Sequence, residues 1–576
     1  MDNHILKQEV LSRYSHRDYH DKIHSIIENI KEIIFLTEEN GWINSNGDKV
    51  NIGTWDKDSR IATLDNKVEQ TGKLFVIKVS NVTIDGTGVS IGNSEAAINI
   101  VGQTDVNLKN FIVENCEVGI YIEFSQGISI QYMSFKENNQ AISINRSSEV
   151  RIKNSLIESS KDSCTGIFIL DSGKVLIQDN AIYLKISITF NENMQENYSG
   201  IITDNSTSIY ILNNEIEIIN GNSEIENLDS YCVNGYCINS YSTHDTLIKF
   251  NNLYIKNNTF NLNDCNLVEL NFSSIYLDSN NTKMDIEENN IVVEFNKLNA
   301  SCNVGGIGFY GILYSNKNNA NSIKNNYLSI KSNIYNLNSN VNNVKYICFI
   351  GILLDSYNSY NEIKENQIDL KENIASFEPE SNRGVNLVCG VYLNLNNKTN
   401  NIIDNDFFMK ENSITKRDCI ISNFSFIYLY YNNICNTIKG NNLNESQGNG
   451  IILISKNDVT EILENNIINN VTNGILLSEL KNIDVTNTVI IKGNSIINNG
   501  EYGLYITEGN YFNIIRENNF ISDINKNVYD GNSSDVMDCY EKNYYNDWNG
   551  KGPYIIENSS FMDYQPSKNP YNKNKE

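Results

Sequence analysis

Apolar and polar residues alternate along this chain in short bursts, and the bursts recur at a fixed register. From Ile177 onward a pattern I-x-x-N-x-[I/L/F] repeats: IQDNAI at Ile177, ILNNEI at Ile211, IKNNTF at Ile255, IEENNI at Ile286, IKNNYL at Ile323 and IKENQI at Ile363. It continues with IIDNDF at Ile402, IKGNNL at Ile438, ILENNI at Ile462, IKGNSI at Ile491 and IRENNF at Ile515, and weaker copies start at Leu108, Ile130 and Ile152. A small residue followed by alternating apolar positions precedes each copy, as in AINI at Ala97, GIYI at Gly119, GILL at Gly351 and GLYI at Gly503. The distance from that small residue to the next repeat is 11 at Ala97, Gly119, Ala141, Gly166 and Gly200, and 12 at Gly311, Gly351, Gly390, Gly450 and Gly503. Ser274 and Phe426 fill the slot in two further copies, and Gly235 and Gly474 are exceptions, with 20 and 17.

Short alternating stretches at constant spacing are strands with every second side chain inward. One such unit cannot bury its apolar face alone; stacked units bury it against each other. The expected fold is therefore an all-β, single-stranded, right-handed parallel β-helix of about 14 coils, the hand following from the crossover rule. The repeated Asn is expected at a sharp left-handed bend between the second and third strands, with its amide bonded to the same amide one coil away. Roughly 100 asparagines, far above ordinary usage, fit such a ladder.

Repeat starts lie 22 to 25 residues apart near the N-terminal end, 31 to 44 through the middle, and 24 to 29 near the C-terminal end. The inserts alternate like strands (AIYLKISITF, IVVEFNKL, YLSIKSNIY), so strand extensions and hairpins are expected to broaden the middle coils. Residues 18–34 have the spacing of an amphipathic helix capping the first coil. The expected organisation is a helix and cap over 1–60, the β-helix over 61–535 with enlarged coils over 177–440, and a C-terminal cap over 536–576.

A resemblance now has its residues. IATLDNKV followed by NVTIDGTGVSI (61–91), the repeat over 97–520, and NYYNDWNGKGPYIIENSSFMDYQP (543–566) together resemble the NosD-like right-handed β-helix proteins of the pectate-lyase-fold superfamily. The resemblance implies a carbohydrate-binding or sugar-hydrolase scaffold. The group's name-giving role is copper delivery outside the cytoplasm, and no Met/His/Cys cluster here carries it over, so no cofactor is expected.

Charge and composition narrow the partners. A net charge of −25 and a pI near 4.7 argue against nucleic acid and against acidic glycans unless a cation bridges them. No run of 18 apolar residues predicts a membrane span, and the first 22 residues have no apolar core of a signal peptide, so the expected location is cytoplasmic by default, with surface, spore or virion routes open. Eleven cysteines without a CxxC read as buried reduced thiols.

Outward positions of the first strand form a column: Asn99, Tyr121, Ser143, Phe168, Ile202, Tyr276, Leu313, Leu353, Tyr392, Tyr428, Ile452, Leu476 and Tyr505. It contains no acid, Lys, Arg or His where the superfamily keeps its catalytic groups. Such a stripe is either covered by inserts, a homo-oligomer (trimer) interface, or a platform on which sugar rings stack, with Tyr121, Phe168, Tyr276, Tyr392, Tyr428 and Tyr505 as the ligand-binding candidates. The next column holds Glu123, Asp204, Asp278 and Asp355, and carboxylates two coils apart would sit about 10 Å apart, close to the spacing in an inverting glycosidase. Tyr241, His244 and Asp245 in YSTHD offer a tyrosine and a His-acid proton shuttle. His16, His20 and His24 have the i, i+4, i+8 spacing of metal ligands on a helix, or of a packed helix face. Three functions stay open: a non-catalytic surface or assembly scaffold touching neutral glycan, a polysaccharide hydrolase, lyase or epimerase, and a phage or virion fibre.

Overall fold

The structure, a computed structural model, describes residues 33–65, 70–186, 195–220, 223–226, 231–263, 268–300, 304–337, 346–377, 385–415, 422–478, 488–521, 527–532 and 538–571. These residues form a right-handed parallel β-helix in two compact units, Met1–Val175 and Leu176–Glu576. Most of the expected N-terminal helix lies outside the described residues. Its last two positions do not: Ile33 and Ile34 belong to the strand Ile33–Thr37, which pairs antiparallel with Gly41–Asn44 and parallel with Leu74–Ile77. Alternation decides this locally, since Ile34 and Leu36 are buried while their neighbours are half-exposed.

In the first unit the first strands Leu74–Ile77, Ala96–Val101, Val118–Glu123, Gln140–Asn145 and Thr165–Leu170 stack in parallel. Ile98, Ile120, Ile142 and Ile167 form one continuous inward column, each buried by the coils on either side. In the second unit the corresponding strands run from Gln195–Asp204 to Val528–Asp530. Between Gln195 and Tyr431 they lengthen to 10–13 residues.

The inward parity of these long strands changes at the small residue. Ile307 and Phe309 point inward before Gly311, and Ile312 and Tyr314 do so after it. Each strand thus has two arms meeting at a re-entrant corner, and the small residue points from that corner into the core. A Cβ on Gly351 would lie 2.6 Å from the Gly390 carbonyl oxygen and 2.7 Å from Ile368 Cγ2. Gly351→Ala is therefore expected to destabilise the second unit by about 1–3 kcal/mol in urea unfolding, and an unchanged midpoint would contradict this corner. Inside the first arm, Phe272, Phe309 and Phe349 stack along the coils at 5.3 and 6.5 Å, with Tyr335 5.0 Å from Phe349.

The inserts are strands, as their alternation predicts, but their pairing is not that of hairpins. Ser223–Glu226, Thr259–Asn263, Lys297–Ala300, Ile334–Leu337, Ile374–Phe377 and Ser413–Thr415 stack in parallel as a fourth sheet. Each enlarged coil repeats the same extra strand, so the partner is the coil above or below.

The asparagine ladder is present with the amide-to-amide bonds expected, but its Asn is not the left-handed residue of the bend. Asn180, Asn214, Asn251, Asn289, Asn326, Asn366, Asn405, Asn441, Asn465, Asn494, Asn518 and Asn543 form one stack, each Nδ2 donating to the next Oδ1 at 2.9–3.0 Å. The left-handed residue is the one before the ladder Asn: Asn213, Phe250, Glu288, Asn325, Glu365 and Asp404 have φ between 51° and 59°. Many residue types take that position, so handedness does not select asparagine; the buried amide does. A second ladder, Asn258, Asn296, Asn333, Asn373 and Asn412, marks the corner into the fourth sheet, at 2.7–2.8 Å. A third runs through Asn321, Asn361, Asn400 and Asn436.

One repeat is thereby reassigned. IKNNTF at Ile255 belongs to the second ladder through Asn258, and the true third-strand entry of that coil is IKFNNL at Ile248, through Asn251. The small residue of the coil is Cys237, whose flanking residues Tyr236 and Ile238 pair with Ser199 and Ile201, and it precedes Ile248 by 11. Among the described residues Cys116, Cys164, Cys237, Cys348 and Cys389 are buried and free, as expected, but Cys435 and Cys539 are exposed.

Candidate functional site

The re-entrant corner of the second unit makes the outward side chains of the two arms converge. Beside the fourth-sheet arm stand Asn197, Asn234 and Asn271, bonded in series at 2.9 and 3.4 Å, and Tyr346 Oη donates to Asn271 Oδ1 at 3.1 Å. Beyond them the face turns apolar. Tyr310, Cys348, Ile350, Leu353, Leu387, Cys389, Tyr428 and Ile452 pack into one buried cluster. The middle of the expected stripe is thus covered by its own second arm.

The free edge of the other arm is polar. In-register pairing aligns Asp204 with Tyr241, and the pairs flanking Asp278, Ser315, Asp355 and Asn394 continue the row one residue per coil. Asp204, Tyr241, Asp278, Ser315 and Asp355 are each half-buried. Burial raises the carboxyl pKa of Asp278, opposed by hydrogen bonds from Ser279 and Tyr276. Asn394 Nδ2 donates to Asp355 Oδ1 at 2.6 Å and receives Tyr392 Oη on its own Oδ1 at 2.8 Å. Tyr276 stacks on Tyr236 at 4.8 Å, one column inward from the row. Among the described outward residues of this face there is no Lys, Arg or His.

The aromatic candidates divide by burial. Tyr121, Tyr276 and Tyr428 are 6%, 8% and 3% exposed, which leaves them little ring face to offer a sugar. Phe168, Tyr392 and Tyr505 are half-buried. Tyr392 stacks on Tyr428 at 5.0 Å, and Tyr505 on Tyr529 at 4.5 Å. In the first unit Glu123 is 8% exposed and accepts from Asn145 Nδ2 at 3.2 Å, while burial pushes the Tyr121 hydroxyl up to about 12. Tyr241 lies on the polar row, but His244 and Asp245 are exposed past the next corner. His244 Nδ1 is 2.7 Å from Thr282 Oγ1, and Asp245 pairs with Lys283 at 3.5 Å. His16, His20 and His24 lie outside the described residues. Among the described residues no group of three His, Cys, Asp or Glu is arranged to hold a metal, and no helix is long and apolar enough to cross a membrane.

Sequence reasoning missed Asn239, Tyr529 and the fourth-sheet arm with Tyr236, Tyr310 and Tyr346. Asn239 pairs with Ile202 and Tyr276 and so fills the one gap in the outward column. The signal was available: once Cys237 is read as the small residue, Asn239 falls at the outward position.

Residues 32–216 match the family described as "Right handed beta helix region". The match covers about a third of the chain and ends early in the second unit. No curated protein matches. Among solved structures, a mutant of the periplasmic alginate epimerase AlgG is 13% identical, covering 66% of this chain and 74% of its own, with a TM-score of 0.30. PfbA, a surface adhesin of Streptococcus pneumoniae, is 16% identical over 63% of this chain and 85% of its own, with a TM-score of 0.26. A mutant of the PL6 family alginate lyase AlyGC is 10% identical over 87% and 95%, with a TM-score of 0.13. At these scores none of the three bears on chemistry here.

Proposed function

We propose that the chain is a non-catalytic, NosD-like β-helix scaffold that holds a neutral glycan along the row Asp204, Tyr241, Asp278, Ser315 and Asp355. The observation that carries this reading is the row itself: acceptor and hydroxyl groups recur once per coil, about 4.8 Å apart, with the half-buried Tyr241 among them. Carboxylates and amides bind sugar hydroxyls, and aromatic faces bind sugar CH groups. The lack of a basic side chain on the described face and the chain's charge of −25 disfavour uronates, whose carboxylates need neutralising.

Glycoside hydrolysis is the second reading, favoured by one specific observation. The Asp278 carboxyl is raised, as in a general acid, and Asp204 and Asp355 flank it two coils away on either side, about 10 Å in each case. Calorimetry against neutral and uronate oligosaccharides tests both readings. Tyr241→Ala and Asp278→Asn are expected to weaken neutral-glycan binding about tenfold each at unchanged thermal midpoint. Tight uronate binding, or indifference to both substitutions, would remove the binding reading. Release of reducing ends that Asp278→Asn abolishes would replace it with the hydrolase.

A further inference from the structure

The C-terminal segment builds a second concavity, distinct from the polar row. Residues 547–559 curl around an open basin of about 760 Å³ lined by Asp547, Trp548, Asn549, Lys551, Glu557 and Asn558 among others. Its walls are held from beneath. Tyr554 lies flat on Tyr545, centroids 3.7 Å apart, and its hydroxyl donates to Asp547 Oδ2 at 3.0 Å. Asn527 Nδ2 donates to the other Asp547 oxygen at 2.5 Å. The loop's sharp turns fall at Gly550 and Gly552, with φ of 77° and 66°.

Two features of this basin point to a ligand. The first is Trp548, an aromatic side chain that lines the basin among the hydrogen-bonding groups of Asp547, Asn549 and Glu557. The second is an aromatic shelf at the rim. Tyr505 and Tyr529 stack at 4.5 Å with planes 4° apart, and Tyr502 leans on both at 5.4 Å. Asn558 joins shelf to basin, its Nδ2 donating to Tyr529 Oη at 2.7 Å. The rim is set before any ligand arrives, which lowers the ordering cost of binding.

We infer that this basin is a binding site for a short neutral carbohydrate. Aromatic rings beside carboxylates and amides match a sugar's two faces, CH on one and hydroxyl on the other. Asp547 and Glu557 outnumber Lys551 on the lining, so a phosphate or sulfate ester would meet net repulsion. The inference does not rest on the polar row between Asp204 and Asp355, and either site can fail without the other.

The test is saturation-transfer NMR and calorimetry on the full chain with cellobiose, maltose, lactose and N,N′-diacetylchitobiose. At least one disaccharide is expected to bind, with affinity lowered about tenfold or more by Trp548→Ala and by Asn558→Gly. Glycine keeps the left-handed backbone of Asn558, whose φ is 59°, so this second variant remains informative if the first fails to fold. No saturable binding of any of the four, or affinity unaffected in Asn558→Gly, would each overturn the assignment.

Discussion

Asn366→Ala is expected to cost the second unit about 3–6 kcal/mol, because one side chain closes several buried hydrogen bonds at once. Its Nδ2 donates to Asn405 Oδ1 at 3.0 Å and to the Ile323 carbonyl at 2.9 Å. Its Oδ1 receives both the Asn326 backbone N–H and the Asn326 Nδ2 at 3.0 Å. Truncation leaves the Asn326 donors and the Ile323 carbonyl stranded in the core, where each costs roughly 1–3 kcal/mol. Urea unfolding followed by circular dichroism checks this, and a loss below about 1 kcal/mol would mean that the ladder is ornamental. Asn366→Asp sharpens the point. A carboxylate can accept but cannot donate onward, so mid-ladder it should be nearly as damaging as alanine at neutral pH.

The second large effect concerns pH. Asp530 and Asp538 are 0% and 7% exposed and hydrogen-bonded to each other. Asn513 donates its backbone N–H and its Nδ2 to Asp538 Oδ1 at 2.7 and 3.1 Å, and Tyr540 Oη donates to Asp530 Oδ2 at 2.9 Å. Burial raises both carboxyls, and the Asp530 charge lifts Asp538 further, to about 7. An unfolded Asp titrates near 3.9, so the folded value is the higher one. Stability from this pair is then fully present below about pH 3.9 and lost as pH rises through about 7. The second unit is expected to be about 2 kcal/mol more stable at pH 5 than at pH 8, and Asp538→Asn should flatten that slope by removing the charge while its Oδ1 still accepts from Asn513, at the cost of the bond from Asn532 Nδ2 to Oδ2. Greater stability at pH 8 than at pH 5 would show that the pair does not share a proton.

The parts of this fold that sequence discloses are those that repeat with the coil. Inward isoleucines and ladder asparagines occupy one position per turn, so spacing alone finds them. What spacing could not separate were two ladders with the same wording: IKNNTF at Ile255 and IKFNNL at Ile248 both read as the bend before a third strand. Cys237 hid a corner because a thiol is not an obvious substitute for glycine, and Asn239 was lost from the outward column with it. The alternating inserts were legible as strands, but alternation is the same whether a strand pairs with its neighbour in sequence or with its counterpart 37 residues on, as Ser223 does with Phe260. The candidate site was half legible. The acidic column was in the sequence, whereas the burial of Tyr276 and Tyr428 depends on how two arms fold toward each other. The basin around Trp548 had no periodic signal, because a terminal loop occurs once.

The ladders also have a direction. Along the first ladder each rung gives one amide proton to the asparagine of the C-terminal coil, and its oxygen takes protons from the N-terminal one, so the last partner needs only to accept. At the end of that ladder the chain switches from asparagine to aspartate: Asn543 Nδ2 donates to Asp563 Oδ2 at 3.3 Å. Interior turns are thereby interchangeable and the terminus is not. Such a chain can grow or shrink across generations by duplicating or deleting whole turns, provided that the acceptor-only ending travels intact.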